Sequence, residues 1–288
     1  MAIKTVLVTG SKGQLGNEIQ VLSASYPQLD FIFTDVDELD ICNQQAVDTF
    51  FAAHKIDFLL NCAAYTAVDK AEEDVELSYL INEKALGFLG KAAVRYGVKI
   101  VHVSTDYVFD GKSYLPYTED MPVCPATVYG KSKLAGEQLL KDVCPGSVIV
   151  RTSWLYSSFG NNFVKTMIRL GRERDSLNVI FDQVGTPTYA ADLADALLQV
   201  ISADKCVPGI YHYSNEGVCS WYDFTISIHK IAGINCRVLP IESKDYPAKT
   251  PRPHYSVLNK SKIKSVYNIQ IPHWEDGLQR CMTILADK

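Results

Sequence analysis

The stretch TVLVTGSKGQLG, residues 5–16, decides the fold of this chain. Its first half is short, apolar and free of charge, which is typical of a β-strand buried on both faces. Glycine then recurs at Gly10, Gly13 and Gly16, and the helical pattern QLGNEIQVLSAS begins at Gln14. Gly10 permits a tight turn, and Gly16 lets the new helix pack closely on the strand. The stretch therefore predicts a strand, a tight turn and a helix in direct succession.

The same loop predicts a phosphate site. A helix N-terminus presents free N–H groups and a partial positive charge, and Gly13 lets the backbone approach a pyrophosphate. An acidic residue, Asp35, ends the next predicted strand about 20 residues further on, as dinucleotide sites require. We therefore interpret the loop as a dinucleotide-binding loop, and a plain strand–helix turn is the alternative.

The residues after the second predicted strand bear on which dinucleotide binds. A carboxylate at Asp35 accepts hydrogen bonds from adenosine ribose hydroxyls and repels a 2′-phosphate, which favours NADH over NADPH. Lys12 acts in the other direction if it contacts such a phosphate, and it is equally well an exposed loop cation. We predict NADH as the favoured cofactor, with NADPH tolerated. Asp40 and Ile41 either flank the adenine or form a helix cap followed by a core residue.

Alternation of strand and helix patterns predicts the fold class. Further apolar strand runs follow at residues 31–35, 57–63, 99–106 and 147–154, and helical patterns separate them. This rhythm predicts an α/β protein with a Rossmann-type, doubly wound parallel sheet. After about residue 155 the rhythm loosens, and we expect a smaller C-terminal lobe. We assign residues 1–154 to a dinucleotide-binding domain, completed by segments within about 178–212, and residues 155–288 mainly to a substrate-binding lobe.

A tyrosine and a lysine lie four residues apart in VYGKSKLAGE, residues 128–137. On a helix, Tyr129 and Lys133 share one face, and a nearby ammonium lowers the pKa of a phenol. Such a phenol can donate a proton to an oxygen that gains negative charge. The fourth predicted strand ends at Thr105, and ligands of open α/β sheets bind beyond the carboxyl ends of the strands. We predict Thr105, Tyr129 and Lys133 as catalytic residues, with Asn82 as a weaker candidate for supporting the site.

Composition excludes several classes of protein. A formal net charge of −5 gives no general attraction to nucleic acid or to anionic membranes. No apolar run approaches the roughly 18 residues of a membrane-spanning helix. Eight cysteines are scattered without a CxxC pair, and we see no acidic cluster to assign to a metal. We expect reduced cysteines in a cytoplasmic protein that is a monomer or a homodimer.

The order of motifs along the chain resembles one enzyme family. GSKGQLGNEIQ, NCAAYTAVDKAE, STDYVFDG, VYGKSKLAGE, RTSWLY, GNNFVKTM, DQVGTPT and RPHYSVLN are similar to motifs of the dTDP-4-dehydrorhamnose reductases, which are extended short-chain reductases. The resemblance covers essentially the whole chain. It implies NAD(P)H-dependent reduction of the 4-keto group of dTDP-4-dehydro-L-rhamnose to dTDP-L-rhamnose, the last step of dTDP-rhamnose biosynthesis.

The resemblance also implies roles for individual residues. It makes Tyr129 the proton donor and gives Lys133 a second role in binding the nicotinamide ribose. Residues that it implies in cofactor binding are Gly10, Gly13, Gln14, Leu15, Gly16, Asp35, Asp40, Ile41, Ala64, Tyr65, Thr66, Tyr129 and Lys133. Residues that it implies in substrate binding are Val68, Thr105, Asp106, Tyr107 and Trp154. Arg252, whose planar fork suits diphosphate oxygens, is a further candidate.

Two other functions remain open at this point. Related 4,6-dehydratases usually carry a glutamate after Thr-Asp, and this chain has Tyr107 there, whereas nothing in the sequence separates a reductase from an epimerase. Some proteins of this fold are regulatory subunits that hold NADP without obvious turnover. The intact set of Thr105, Tyr129 and Lys133 argues against that alternative.

Overall fold

A computed structural model describes residues 3–287. The strands are β1 (Lys4–Thr9), β2 (Leu29–Thr34), β3 (Phe58–Asn61), β4 (Lys99–Thr105), β5 (Val148–Thr152), β6 (Leu155–Tyr156), β7 (Ser176–Ile180), β8 (Val184–Gly185), β9 (Thr188–Tyr189), β10 (Gly209–His212), β11 (Cys219–Ser220) and β12 (Arg237–Ile241). The α-helices are α1 (Gln14–Leu22), α2 (Gln44–Ala53), α3 (Val68–Ala71), α4 (Val75–Tyr79), α5 (Ala85–Tyr96), α6 (Val128–Val143), α7 (Phe163–Glu173), α8 (Ala190–Ser202), α9 (Trp221–Ala232), α10 (Ser261–Tyr267) and α11 (Trp274–Ala286).

Six parallel strands form the central sheet, in the order β10-β5-β4-β3-β1-β2. The chain builds outward from β1 to β2 and then returns to the other side of β1 with β3. Such a reversal of direction is a topological switch point, and ligands of open α/β sheets bind outside the strand ends there. The α/β, Rossmann-type parallel sheet expected from the sequence is confirmed.

The sheet is buried on both faces because successive side chains of a strand point in opposite directions. Val6 and Val8 of β1 pack with helices α1 and α8 in one apolar cluster. Leu7, between them, packs with helices α2, α5 and α6 in a second cluster. This two-sided burial explains why the strand sequences are continuously apolar rather than alternating.

The C-terminal part of the chain has a hydrophobic cluster of its own. Helices α7, α9 and α11 pack there against the parallel pair of β7 and β12. Two segments of this half instead belong to the central sheet: β10 pairs with β5, and α8 packs on its face. These positions agree with the segments we expected within about 178–212, while the division into two functional domains stays a prediction.

A π-helical turn interrupts the helical pattern of residues 74–97. The apolar spacing of these residues predicts a single long helix, but α4 and α5 are separated by a π-helical segment, Leu80–Lys84. A π-helical turn inserts an extra residue and is frequent at functional sites. Its middle residue, Asn82, is buried and points toward the site described below. Within residues 3–287, no helix has the length and apolar character needed to cross a membrane.

Candidate active site

The glycine loop lies at the switch point between β1 and β3. Gly10 has a φ of +68°, and a Cβ atom there would lie 2.7 Å from the backbone nitrogen of Ala63. Only glycine fits this turn, because it is both left-handed and in contact with the chain after β3. Gly13 is the N-cap of α1 and provides no side-chain cap for the helix N–H groups. These N–H groups are therefore available to an anion, and the loop fits a dinucleotide pyrophosphate.

Acidic side chains surround the place where the adenosine ribose is expected. Asp35 follows β2, and its Oδ2 accepts a hydrogen bond of 2.9 Å from the backbone N–H of Lys12. The Lys12 ammonium donates to Asp37 at 2.7 Å and lies 3.3 Å from Glu38. The single loop cation is thus already paired with two carboxylates. Its roles as a loop cation and as a phosphate contact both stay open.

Asp40 and Ile41 differ in their surroundings. Ile41 is buried in the cluster that lines one face of the sheet, as the core alternative expected. Asp40 is exposed, and the N-cap of α2 is Asn43, so the cap alternative is wrong for Asp40. The expected contact of both residues with adenine stays a prediction.

The loop after β3 is held by the π-helical turn. The Tyr65 N–H donates to Asn82 Oδ1 at 2.9 Å, and Asn82 Nδ2 donates back to the Tyr65 carbonyl at 3.1 Å. Asn82 Nδ2 also donates to Ser132 Oγ of α6 at 3.0 Å. Asn82 therefore fixes the segment of Ala64, Tyr65 and Thr66 relative to the helix that carries Tyr129, so it supports the site through more than helix–strand packing.

The three predicted catalytic side chains meet at the carboxyl end of β4. Tyr129 and Lys133 are both buried one turn apart on α6. The Thr105 hydroxyl lies near the Tyr129 phenol, whose pKa it lowers, and it donates to Asp106 Oδ1 at 3.0 Å. Phenol, hydroxyl and carboxyl thus form one catalytic row. The edge of the Tyr107 ring packs against Tyr129, with the centroids 5.4 Å apart.

The acidity of Tyr129 differs from the expectation. Burial raises the pKa of Tyr129 to about 12, the Thr105 hydroxyl acts in the opposite direction, and the Asp106 charge adds to the rise. The expectation that Lys133 lowers this pKa is wrong for this structure. The Lys133 ammonium points at the Val103 carbonyl, 2.8 Å away, and at His102 Nε2, 3.2 Å away. Tyr129 consequently keeps its proton at neutral pH, as a proton donor must.

Asp106 is a buried carboxyl group whose hydrogen bonds are incomplete. Burial raises the pKa of Asp106 to about 7, although Thr105, backbone N–H groups and the nearby Ser256 hydroxyl oppose the rise. Its Oδ2 atom has no hydrogen-bond partner within 3.5 Å among residues 3–287, and neither does the buried Ser256 hydroxyl. These two neighbouring polar groups at the mouth of β4 are suited to binding hydroxyl groups of a ligand.

Two tryptophans are stacked at the boundary of the C-terminal lobe. Trp154, which follows β5, has a φ of +49°, a strained value for a side chain of this size. Its ring stacks on Trp221 of α9 with centroids 3.4 Å apart and planes 8° apart. Gly185 makes room for it, since a Cβ atom there would lie 2.6 Å from the Trp154 ring. Backbone strain that the surroundings hold in place is frequent at ligand sites.

The remaining substrate candidates lie near α3. Arg252 donates to Asp69 Oδ2 at 2.6 Å, and its Nη1 atom is buried without a hydrogen-bond partner among residues 3–287. Val68, the first residue of α3, is half-buried beside Asp69. The guanidinium charge of Arg252 opposes the rise that burial causes in the pKa of the Tyr107 phenol, so Arg252 is near the catalytic row.

Several residues at the site were not identified from the sequence. They are Asn61, His102, Asp69, Trp221 and Ser256. Asn61 and His102 lie within apolar strand patterns, and Trp221 lies within a helical pattern. A polar residue in an otherwise apolar strand was the available signal for Asn61 and His102, because buried polar groups need partners.

A glycine loop at the switch point and a Thr-Tyr-Lys set at the end of β4 define a class of protein, the nicotinamide-dependent short-chain reductases. A family model, the RmlD substrate binding domain, matches residues 4–286. The spore coat polysaccharide biosynthesis protein SpsK of Bacillus subtilis (strain 168) is 42% identical over 276 residues, which is 95% of each chain. A dTDP-4-dehydrorhamnose reductase of Aggregatibacter actinomycetemcomitans is 41% identical over 284 residues, 95% of this chain and 97% of the relative.

Solved structures give the same result. A dTDP-4-dehydrorhamnose reductase from Clostridium acetobutylicum is 44% identical with a TM-score of 0.93, covering 98% of this chain and 99% of that one. The reductase from Bacillus anthracis, solved in complex with NADP, is 40% identical with a TM-score of 0.93, covering 99% of this chain and all of that one. The chain belongs to the dTDP-4-dehydrorhamnose reductase family, and the resemblance found in the sequence is confirmed.

Proposed function

We propose that this protein reduces the 4-keto group of dTDP-4-dehydro-L-rhamnose to give dTDP-L-rhamnose, with NADH or NADPH as the reductant. The observation that carries the proposal is the row of Tyr129, Thr105 and Asp106 at the end of β4. This row lies in a chain that matches the family model from residue 4 to residue 286. The reductases from Aggregatibacter actinomycetemcomitans, Clostridium acetobutylicum and Bacillus anthracis carry this activity in their names.

Tyr129 is the proton donor of the proposed reaction. A nicotinamide held by the glycine loop and Lys133 would supply the hydride for C4 of the sugar, and the C4 oxygen would then gain negative charge. Tyr129 keeps its proton at neutral pH because burial raises its pKa, so the proton is present when the oxygen needs it. The Thr105 hydroxyl, which lies near the phenol, would orient the same oxygen by a hydrogen bond.

Lys133 binds the cofactor in the proposed reaction. Its ammonium has three N–H groups, and the Val103 carbonyl and His102 occupy two of them. The third N–H is available to the nicotinamide ribose. Burial lowers the pKa of Lys133 to about 8, and the Glu137 charge opposes this, so the side chain is still largely protonated at neutral pH.

The dTDP-sugar binds between the end of β4 and the C-terminal lobe. Asp106 and Ser256 offer polar atoms without partners to its hydroxyl groups. Trp154 offers an apolar ring face to the sugar, and the Nη1 atom of Arg252 offers a donor to the diphosphate. These substrate roles, a cytoplasmic location and a monomeric or homodimeric state belong to the proposal.

A spectrophotometric assay tests the function. The purified protein receives the dTDP-4-keto sugar and a limiting amount of NADH or NADPH, and absorbance at the reduced nicotinamide band is followed. We expect one nicotinamide to be oxidised per sugar reduced. An epimerase or a dehydratase recycles its dinucleotide, so turnover of sugar with constant absorbance contradicts the proposal. Tight cofactor binding with no turnover of any keto-sugar nucleotide favours the regulatory-subunit alternative instead.

A further inference from the structure

A row of buried polar side chains crosses the central sheet and ends at Lys133. The register pairs Thr9 of β1 with Asn61 of β3, and Asn61 with His102 of β4. The Thr9 hydroxyl donates to Asn61 Oδ1 at 2.6 Å, and His102 Nδ1 lies 2.9 Å from Asn61 Nδ2. His102 Nε2 then lies 3.2 Å from Lys133 Nζ. All four residues have an exposed fraction of 2% or less.

This row connects the two halves of the cofactor site. Thr9 immediately precedes Gly10, the first glycine of the phosphate loop, and Lys133 lies beside the proton donor on α6. Polar groups in the middle of a sheet cost free energy unless they are hydrogen-bonded, and every member of this row has a partner. A buried histidine is more often a satisfied core residue than a functional one. Here, however, one of its nitrogen atoms faces the ammonium of Lys133.

His102 is suited to accept a hydrogen bond from that ammonium. Burial and the neighbouring Lys133 charge hold the pKa of His102 well below its usual range, so the ring is neutral. A neutral ring with its proton on Nδ1 leaves the lone pair of Nε2 for Lys133. With the amide oriented as given above, Asn61 Nδ2 would donate to Nδ1, and Nε2 would carry its proton toward the Lys133 ammonium, which has only donors. The opposite amide orientation has the same shape and removes this conflict: the amide oxygen accepts from Nδ1, and the amide nitrogen donates to the Thr9 hydroxyl. The Lys133 ammonium thus selects the tautomer, and Asn61, whose other end bonds Thr9, holds it.

We infer that His102 is a positioning residue for Lys133, and that Asn61 and Thr9 hold its ring in the tautomer that accepts the ammonium hydrogen bond. The inference rests on the proposed function, in which charged Lys133 binds the cofactor ribose. Other ionisable groups near the ammonium are Glu137 and Tyr129 on the same helix and Cys62 after β3. Glu137 stabilises the ammonium charge and burial opposes it, while burial raises the pKa of Cys62 to about 12 and keeps it a neutral thiol.

The test compares His102→Leu, His102→Gln and Thr9→Val with the wild type. Two readouts are followed from pH 6 to pH 10: the affinity for NADH, measured by its fluorescence, and kcat with the dTDP-4-keto sugar. Removal of the acceptor in His102→Leu destabilises the ammonium form. The alkaline limb of both profiles therefore moves to lower pH by about one unit, the scale of a hydrogen bond to a charged group. His102→Gln supplies an amide oxygen and keeps the limb near its wild-type position.

Thr9→Val preserves the shape at the other end of the row and removes its hydroxyl. We expect a shift in the same direction and smaller, together with a change in the 15N chemical shifts of the His102 ring. His229→Gln is the matched control: this buried histidine faces the Met167 carbonyl in the C-terminal lobe, so its loss affects thermal stability without moving the limb. Thermal unfolding and NADH binding at pH 6 establish that each variant is folded.

Three results overturn the inference. The first is a His102→Leu protein that loses activity equally at every pH, which is a structural effect only. The second is a His102→Gln protein that behaves as His102→Leu does, and the third is a ring whose 15N shifts do not respond to Thr9→Val. A wild-type protein that binds NADH and does not reduce the keto sugar contradicts the proposed function instead. The pH profile of NADH binding still tests His102 in that case.

Discussion

The Thr105 hydroxyl donates to Asp106 Oδ1 at 3.0 Å and lowers the pKa of the neighbouring Tyr129 phenol. A hydroxyl has one proton and two lone pairs, so it can donate to the carboxyl before the reaction and to the phenolate once Tyr129 has given up its proton.

Replacement of Thr105 tests this link. Thr105→Val keeps the shape and removes the hydroxyl, which lowers the pKa of Tyr129 in the wild type. The pKa of Tyr129 therefore rises further in the variant, and we expect kcat to fall by about ten- to a hundredfold. Thr105→Ser retains the hydroxyl and is the matched control, with kcat close to wild type. Steady-state kinetics at saturating NADH measures both, and equal losses in the two variants contradict the role of the hydroxyl.

Asp106 should make the stability of the protein depend on pH. Its pKa is raised in the folded state to about 7 from an unfolded value of 3.8. The folded state binds the Asp106 proton more tightly than the unfolded state does. Protonated Asp106 therefore favours the folded state most below pH 3.8, and this part of the free energy of unfolding is lost as pH rises through 7. Asp106→Asn lacks the titration. We expect urea denaturation to show the wild type losing stability relative to this variant between pH 4 and pH 7.

Asp110 provides the opposite case on the same strand-end loop. A backbone N–H and the Tyr117 hydroxyl lower the pKa of Asp110, so its contribution is present above the unfolded pKa and lost as the protein is acidified. Asp110→Asn should therefore be less stable than the wild type at pH 7, with a smaller difference near pH 3. If the two variants follow the same pH dependence, Asp106 is not the buried acid that its surroundings imply.

The acidic surroundings of Lys12 predict the choice between the two nicotinamide cofactors. Asp35, Asp37 and Glu38 lie close to the place expected for the 2′ position, and the single cation among them is paired. A 2′-phosphate meets net repulsion there, so we expect a lower KM for NADH than for NADPH. Increasing salt should reduce the difference between the KM values for NADH and NADPH, because salt screens exposed charges. A clear preference for NADPH at low salt contradicts this prediction.

The stacked tryptophans predict an effect on substrate binding. Trp221→Ala removes the support that holds Trp154 in its strained backbone conformation. An aromatic pair contributes about 0.5–1.5 kcal/mol beyond its buried area, so we expect KM for the dTDP-sugar to rise roughly two- to tenfold. KM for NADH should not change. Trp221→Phe keeps a stacked ring, so its KM for the dTDP-sugar should lie between those of the wild type and Trp221→Ala. If KM for NADH rises as much as KM for the dTDP-sugar, the tryptophan pair has no specific role in binding the sugar.

The sequence predicts the framework of the site well because local rules apply to it. The glycine loop needs only neighbouring residues, and the meeting of Thr105 with Tyr129 follows from the rule that parallel strands end at one edge of a sheet. The acidity of Tyr129 was predicted in the wrong direction. Spacing on a helix places Lys133 nearby, but the direction of its ammonium and the depth of burial depend on β4, which packs against the helix.

Contacts between distant segments could not be predicted from the sequence for the same reason. The row from Thr9 to His102 depends on the register of three strands, and each residue alone resembles a strand residue. The π-helical turn at Asn82 was also missed, because the apolar periodicity of residues 74–97 continues through it. These features arise from tertiary packing, which overrides local pattern.

The proton-donor role of Tyr129 is the central claim, and the single-turnover rate of Tyr129→Phe with bound NADH tests it most directly. Phenylalanine keeps the ring and its edge contact with Tyr107, so NADH and the dTDP-sugar should bind with affinities close to wild type. We predict that the rate of NADH oxidation at saturating sugar falls by about 10²–10⁴. A Tyr129→Phe protein that oxidises NADH at the wild-type rate contradicts the account.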